Sequence, residues 1–137
     1  MKALAEIERI WPRDGAIRLV GRLHRADPQG TETLLLVQRD GEARRAYPVP
    51  MTGAAFDVRI PVEELVPPQP PEEWTWDLYL ETGGQRIRVG RHLDDIRDKS
   101  GIMVFPEQRF VKDGATIGVR PRYTVKENLS IDGWRRA

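Results

Sequence analysis

The sequence contains no cysteine. That excludes a disulfide framework, a thiolate zinc site and a cysteine nucleophile, and it agrees with a reducing compartment. Histidine is scarce: His24 and His92 are the only two. His92 stands near Asp94, Asp95 and Asp98, but the run lacks the spaced ligands and the glycine of a calcium loop. It reads as a solvated turn, and no metal or other cofactor is expected. Serine occurs twice, as Ser100 and Ser130, and neither lies in a Gly-x-Ser-x-Gly elbow. Charge of one sign is also missing. Lys and Arg total 22 against 21 Asp and Glu, which argues against a nucleic-acid binder, whose domain carries a clear basic excess. No apolar run approaches the ~18 residues of a membrane span. The start, Met1 to Glu6, lacks the apolar core of a signal peptide. A cytoplasmic protein without a transmembrane segment is expected.

What is present is the alternation of β-strands. From Trp74 to Arg91, Trp74, Trp76, Leu78 and Leu80 fall on alternate positions, as do Ile87 and Val89, around Gly83-Gly84. This is a hairpin with one face on a core, and it carries half of the four tryptophans. Upstream, Leu4 to Ile10 reads as a strand ended by Pro12 and Asp14-Gly15. Ile17, Leu19 and Leu23 alternate with polar residues, and Gly21 at an inward position leaves room for a large neighbour or marks a bulge. Thr33 to Gln38 is apolar on both faces. Asp40-Gly41 then signals a hairpin to an edge strand that Pro48 and Pro50 terminate.

Phe56, Val58 and Ile60 mark a fifth strand. Pro61 to Glu73 holds one helical turn at most, and then Pro67, Pro68, Pro70 and Pro71 force an extended path. A ligand for an aromatic-groove domain is one reading of this run. A stiff crossover between two sheets is the better one, because core-like strands flank it. Ile117 and Val119 face inward from a hairpin at Asp113-Gly114. Leu129 and Ile131 follow, and Asp132 to Arg136 is expected to fray. The whole, residues 1–137, reads as a single all-β domain: an immunoglobulin-like antiparallel β-sandwich of about nine or ten short strands.

No catalytic set emerges. Glu63-Glu64 and Glu72-Glu73 are acids beside prolines, and nothing picks out two carboxylates held about 5–10 Å apart across a cleft. The chain is therefore not expected to be an enzyme. Arg86, Arg88 and Arg91 cluster on one strand and its end. Arg120 and Arg122 alternate on another. If those strands are neighbours, a guanidinium ladder suited to phosphate or carboxylate results; solvent-facing arginines matched by acids across strands are the alternative. Trp11, Tyr79 and Trp134 are the candidates for an exposed sugar-stacking platform.

Several stretches together carry a resemblance to a known family. They are Trp76-Asp77-Leu78-Tyr79, Arg88-Val89-Gly90-Arg91, Arg122-Tyr123-Thr124, Asn128-Leu129-Ser130-Ile131, the strand Gly15 to Gly21, and Phe56 to Pro61. Taken in chain order, they resemble the β-sandwich accessory domains of bacterial, especially actinobacterial, cell-envelope enzymes. Those enzymes include CDP-glycerol glycerophosphotransferases and teichoic-acid-type family-2 glycosyltransferases. The resemblance implies a non-catalytic module beside a membrane-associated transferase. Its partner would be a protein, such as that glycosyltransferase, or an anionic glycan polymer met through Arg86, Arg88, Arg91, Arg120 and Arg122. Self-association and a location peripheral to the inner face of the membrane stay open. A carbohydrate-binding module is the alternative.

Overall fold

The computed structural model describes residues 2–90 and 105–137. Eleven strands form among them. In chain order they are β1 (Leu4–Arg13), β2 (Ala16–His24), β3 (Thr33–Gln38), β4 (Arg44–Pro48), β5 (Met51–Thr52), β6 (Ala55–Pro61), β7 (Glu73–Thr82), β8 (Gln85–Gly90), β9 (Gln108–Lys112), β10 (Ala115–Tyr123) and β11 (Leu129–Arg136). The expected count is exceeded because two-residue β5 forms a small hairpin with β6. No described helix is long and apolar enough to cross a membrane.

One layer runs β5-β6-β2-β1. In the other, β4 pairs with β3, β3 with β7, and the order continues β7-β11-β10-β9. The layers form a sandwich whose inner faces share one core. Ile17, Leu19, Val58 and Ile60 come from the first layer, and Leu34, Trp76, Leu78, Leu80, Ile117 and Ile131 from the second. β8 joins the two. It is antiparallel to β7, and its end runs parallel to β1 at Ala5↔Val89 and Glu6↔Gly90. That is the one parallel pairing among the described strands.

The turn chemistry explains the hairpins. Gly83 and Gly84 both have positive φ, 54° and 80°, and so do Asp14-Gly15 and Asp113-Gly114. That is the twist a two-residue hairpin requires. Asp40-Gly41 behaves differently. The last β3–β4 pair is Val37↔Arg44, because the Gln38 side chain fills the space at Gly41 and accepts from the Ala43 N–H at 3.3 Å. Gly21 serves both purposes its position suggests. A Cβ there would fall 2.6 Å from the Phe56 ring. The β1 register also slips beside it, from Ile7↔Gly21 to Arg9↔Val20, leaving Glu8 as a bulge.

Pro61 to Glu73 is a crossover from β6 in one layer to β7 in the other. It opens on a 3-10 turn, Val62–Leu65. The Leu65 carbonyl accepts the indole N–H of both Trp74 and Trp76, each at 2.9 Å. Both tryptophans are buried, and this shared acceptor satisfies the polar atom each carries inside. The C-terminal stretch is ordered where fraying was expected. β11 lies between β7 and β10, and Gly133 lies against the Trp74 ring, in contact too close for a Cβ.

Glu32 is a buried charge with a structural task. It is 2% exposed. Its carboxylate accepts the backbone N–H of Gln29 at 2.6 Å and of Gly30 at 2.9 Å, and the Thr82 hydroxyl at 2.6 Å. Burial alone raises its pKa, but these hydrogen bonds outweigh burial and hold it below the ordinary carboxylate value. Glu32→Gln is expected to cost about 2 kcal/mol, read as a lower urea midpoint at neutral pH. An unchanged midpoint would refute this role for Glu32.

Candidate functional site

The inward set of β7 leaves Thr75, Asp77, Tyr79 and Glu81 on the outer face of the second layer. Register then assembles a charged lattice around them. Ser130 lies opposite Asp77, and Asp132 opposite Thr75. Arg122 lies opposite Ser130, and Arg120 opposite Asp132. Arg88 faces Tyr79, and Arg86 faces Glu81. The two arginine-bearing strands are not neighbours, since β7 and β11 stand between them. All four arginines nevertheless share one face.

Most of that positive charge is already paired. Arg39, from the β3–β4 loop, grips Asp77 with both arms of its fork, at 2.6 and 3.1 Å. The Ser130 hydroxyl donates to the same carboxylate at 2.9 Å, and Arg88 lies 3.6 Å from it. Burial alone raises the Asp77 pKa. The bonds from Arg39 and Ser130, with the charges of Arg39 and Arg88, carry it below its ordinary value. Arg122 bonds Asp132, which also accepts from the Thr75 hydroxyl. Arg86 pairs with Glu81 at 3.3 Å. Arg120 is exposed and makes no hydrogen bond among the described residues, though its charge helps to hold Glu107 ionised. Arg91 lies outside the described residues, as do His92, Asp94, Asp95, Asp98 and Ser100.

Two clefts among the described residues hold several of the cations. The first, about 530 Å³, holds Arg39 and Arg120 together with Asp40, Glu73, Glu107 and Asp132. Four carboxylates against two guanidiniums make it net acidic and unsuited to phosphate. The second, about 630 Å³, lies along the proline crossover and contains Arg45, Lys112 and Arg135. Sequence reasoning missed Arg39 and these three cations. Each stands at a loop, an edge or a chain end, where the period-2 pattern carries no information about partners.

The candidate sugar platforms are roofed by cations. Arg18 stands 4.7 Å from the Trp11 ring centre, Arg88 5.3 Å from Tyr79 and Arg136 4.9 Å from Trp134. These are cation–π contacts, and they occupy space that a stacked pyranose needs. Chemistry elsewhere is equally committed. His24 bonds Glu6 at 2.9 Å. Among the described residues, no group of three or more His, Asp and Glu is arranged to hold a metal.

No protein-family model matches the sequence, and no curated protein matches it significantly. Solved structures match the fold. A crystal structure of S. aureus TarS 217–571 superposes with a TM-score of 0.72 at 15% identity, over 100% of this chain and 39% of that one. A second crystal structure of S. aureus TarS gives 0.68 at 14% identity, over 99% of this chain and 24% of that one. The chain thus spans well under half of either. At this identity the likeness is one of fold: this sandwich has the architecture of a portion of TarS.

Proposed function

We propose that this chain is a non-catalytic module that works beside a cell-wall-polymer glycosyltransferase of the teichoic-acid type, with residues 1–137 acting as one unit. The observation that carries the reading is the match of the whole chain to part of TarS, a teichoic acid glycosyltransferase. The site chemistry supports it. Ser130 and His24, the serine and the histidine among the described residues, are engaged by Asp77 and Glu6 in structural hydrogen bonds.

The outer face bearing Arg86, Arg88, Arg120 and Arg122 is the proposed contact surface. Its guanidiniums alternate with carboxylates on a sheet. That pattern suits a protein partner of complementary mixed charge. A neutral-sugar platform is not favoured, because arginines occupy the rings.

The test mixes this chain with the catalytic portion of a teichoic-acid glycosyltransferase and follows complex formation by sedimentation. A complex that weakens in salt is expected. Arg86→Glu with Arg120→Glu, both on exposed side chains, is expected to weaken it about tenfold. Absence of a complex at low salt would defeat the reading. So would sugar transfer by this chain alone.

A further inference from the structure

We infer that the cleft along the proline crossover binds a phosphodiester-linked polyol chain through Arg45, Lys112 and Arg135. The choice of ligand rests on the function proposed above; the site rests on its own charges. Arg45 donates to the carbonyls of Glu64 at 2.9 Å, Val66 at 3.1 Å and Arg44 at 2.9 Å. Lys112 donates to the Glu63 carbonyl at 3.0 Å. Carbonyls fix these side chains in place without cancelling their charge. That is the opposite of the outer face, where carboxylates neutralise the arginines.

Donors remain for a ligand. Arg45 uses three of its N–H groups and Lys112 one of its three. The Arg135 side chain makes no hydrogen bond among the described residues. Asp113 is the one acid in the lining. The Glu64 carboxylate is taken by the Tyr47 hydroxyl at 2.8 Å. Glu72 and Glu73 line an adjoining groove beside Arg135, with Arg136.

The wall selects among phosphate polymers. It is built from Val66, Pro67, Pro68 and Pro70. Proline is rigid before binding, so little entropy is lost on contact, and saturated carbon segments pack on it. No aromatic ring lines the cleft. Single-stranded nucleic acids draw much of their affinity from stacking on such rings, so a polyol phosphate is favoured over an oligonucleotide.

The probe is a defined glycerol-phosphate oligomer, titrated calorimetrically into the full chain at about 50 mM and about 300 mM salt. Inorganic phosphate and a single-stranded oligonucleotide of equal charge serve as comparators. Binding of the oligomer that weakens at the higher salt is expected, with both comparators weaker. Lys112→Gln with Arg135→Gln is expected to lower affinity at least about tenfold, and Lys112→Arg to retain it. Arg22→Gln, an exposed cation on β2 that does not line the cleft, is expected to change affinity by less than about twofold.

Failure of the wild type to bind at low salt overturns the inference. So does an equal loss in Arg22→Gln, or an oligonucleotide that binds as tightly. Oligomer binding through Lys112 and Arg135 without any transferase complex upholds this site and defeats the proposed partnership. A complex without oligomer binding does the reverse.

Discussion

Gly133→Ala is expected to cost about 3 kcal/mol of folding stability, at the upper end of overpacking penalties. A Cβ at this position falls 2.3 Å from Cε2 and Nε1 of Trp74. The ring has no room to yield. It is 5% exposed, and its N–H is tied to the Leu65 carbonyl that also holds Trp76. Either Trp74 leaves its acceptor or β11 moves off β7, which disturbs the central ladder of the second layer.

Gly118 provides the comparison. Its Cβ would fall 2.2 Å from the Trp134 ring, an equally severe clash on paper. Trp134, however, lies half-buried on the outer face, and its N–H bonds the side chain of Glu107, which can move with it, rather than a fixed backbone carbonyl. Gly118→Ala is therefore expected to cost nearer about 1 kcal/mol. Urea unfolding of both variants measures the difference. Equal costs would show that the Trp74 ring is not fixed as described.

Asp77→Ala is expected to cost about 2–3 kcal/mol. A fully buried pair costs more when broken, but the Arg39 side chain is 41% exposed and water can take up part of its charge. The loss removes the carboxylate that Arg39, Arg88 and the Ser130 hydroxyl share. Asp77→Asn keeps the shape and is expected to cost about 1–2 kcal/mol.

The acid limb follows from the same group. The folded-state pKa of Asp77 lies below its unfolded value, so the unfolded chain binds protons first as pH falls. The stabilisation is complete above about pH 4, the unfolded value. It is lost as pH drops through the folded value. Glu32 has the same sign. Thermal melts of the wild type are expected to be flat near neutrality and to fall steeply below about pH 4. Asp77→Asn and Glu32→Gln are each expected to remove part of that slope. An acid slope in Asp77→Asn as steep as in the wild type would deny Asp77 this role.

Local pattern was enough to place the strands and their faces. Trp76, Leu78 and Leu80 are inside because a strand alternates, and Gly83-Gly84 turns because both residues tolerate positive φ. The crossover, too, was legible in its prolines. The Asp132–Arg136 segment was not, because its order comes from Trp74 lying against Gly133, a contact made 59 residues away in the chain. The TarS-like fold was readable as a resemblance spread over many weak stretches.

By itself, then, the amino-acid order determined which side chains face the core, where the chain reverses, and which catalytic chemistries lack their residues. Those properties depend on neighbours one to four positions apart. Tertiary structure alone decided which charges are free. Arg88 and Arg122 alternate on their strands just as a phosphate ladder would, yet Asp77 and Asp132 arrive beside them from other strands and pair with them. Arg45, Lys112 and Arg135 show no pattern in the chain, yet they line one cleft with only Asp113 as an acid among them. Partnership across strands is set by the order and register in which the layers pack, and two residues share a charge environment only once that packing exists.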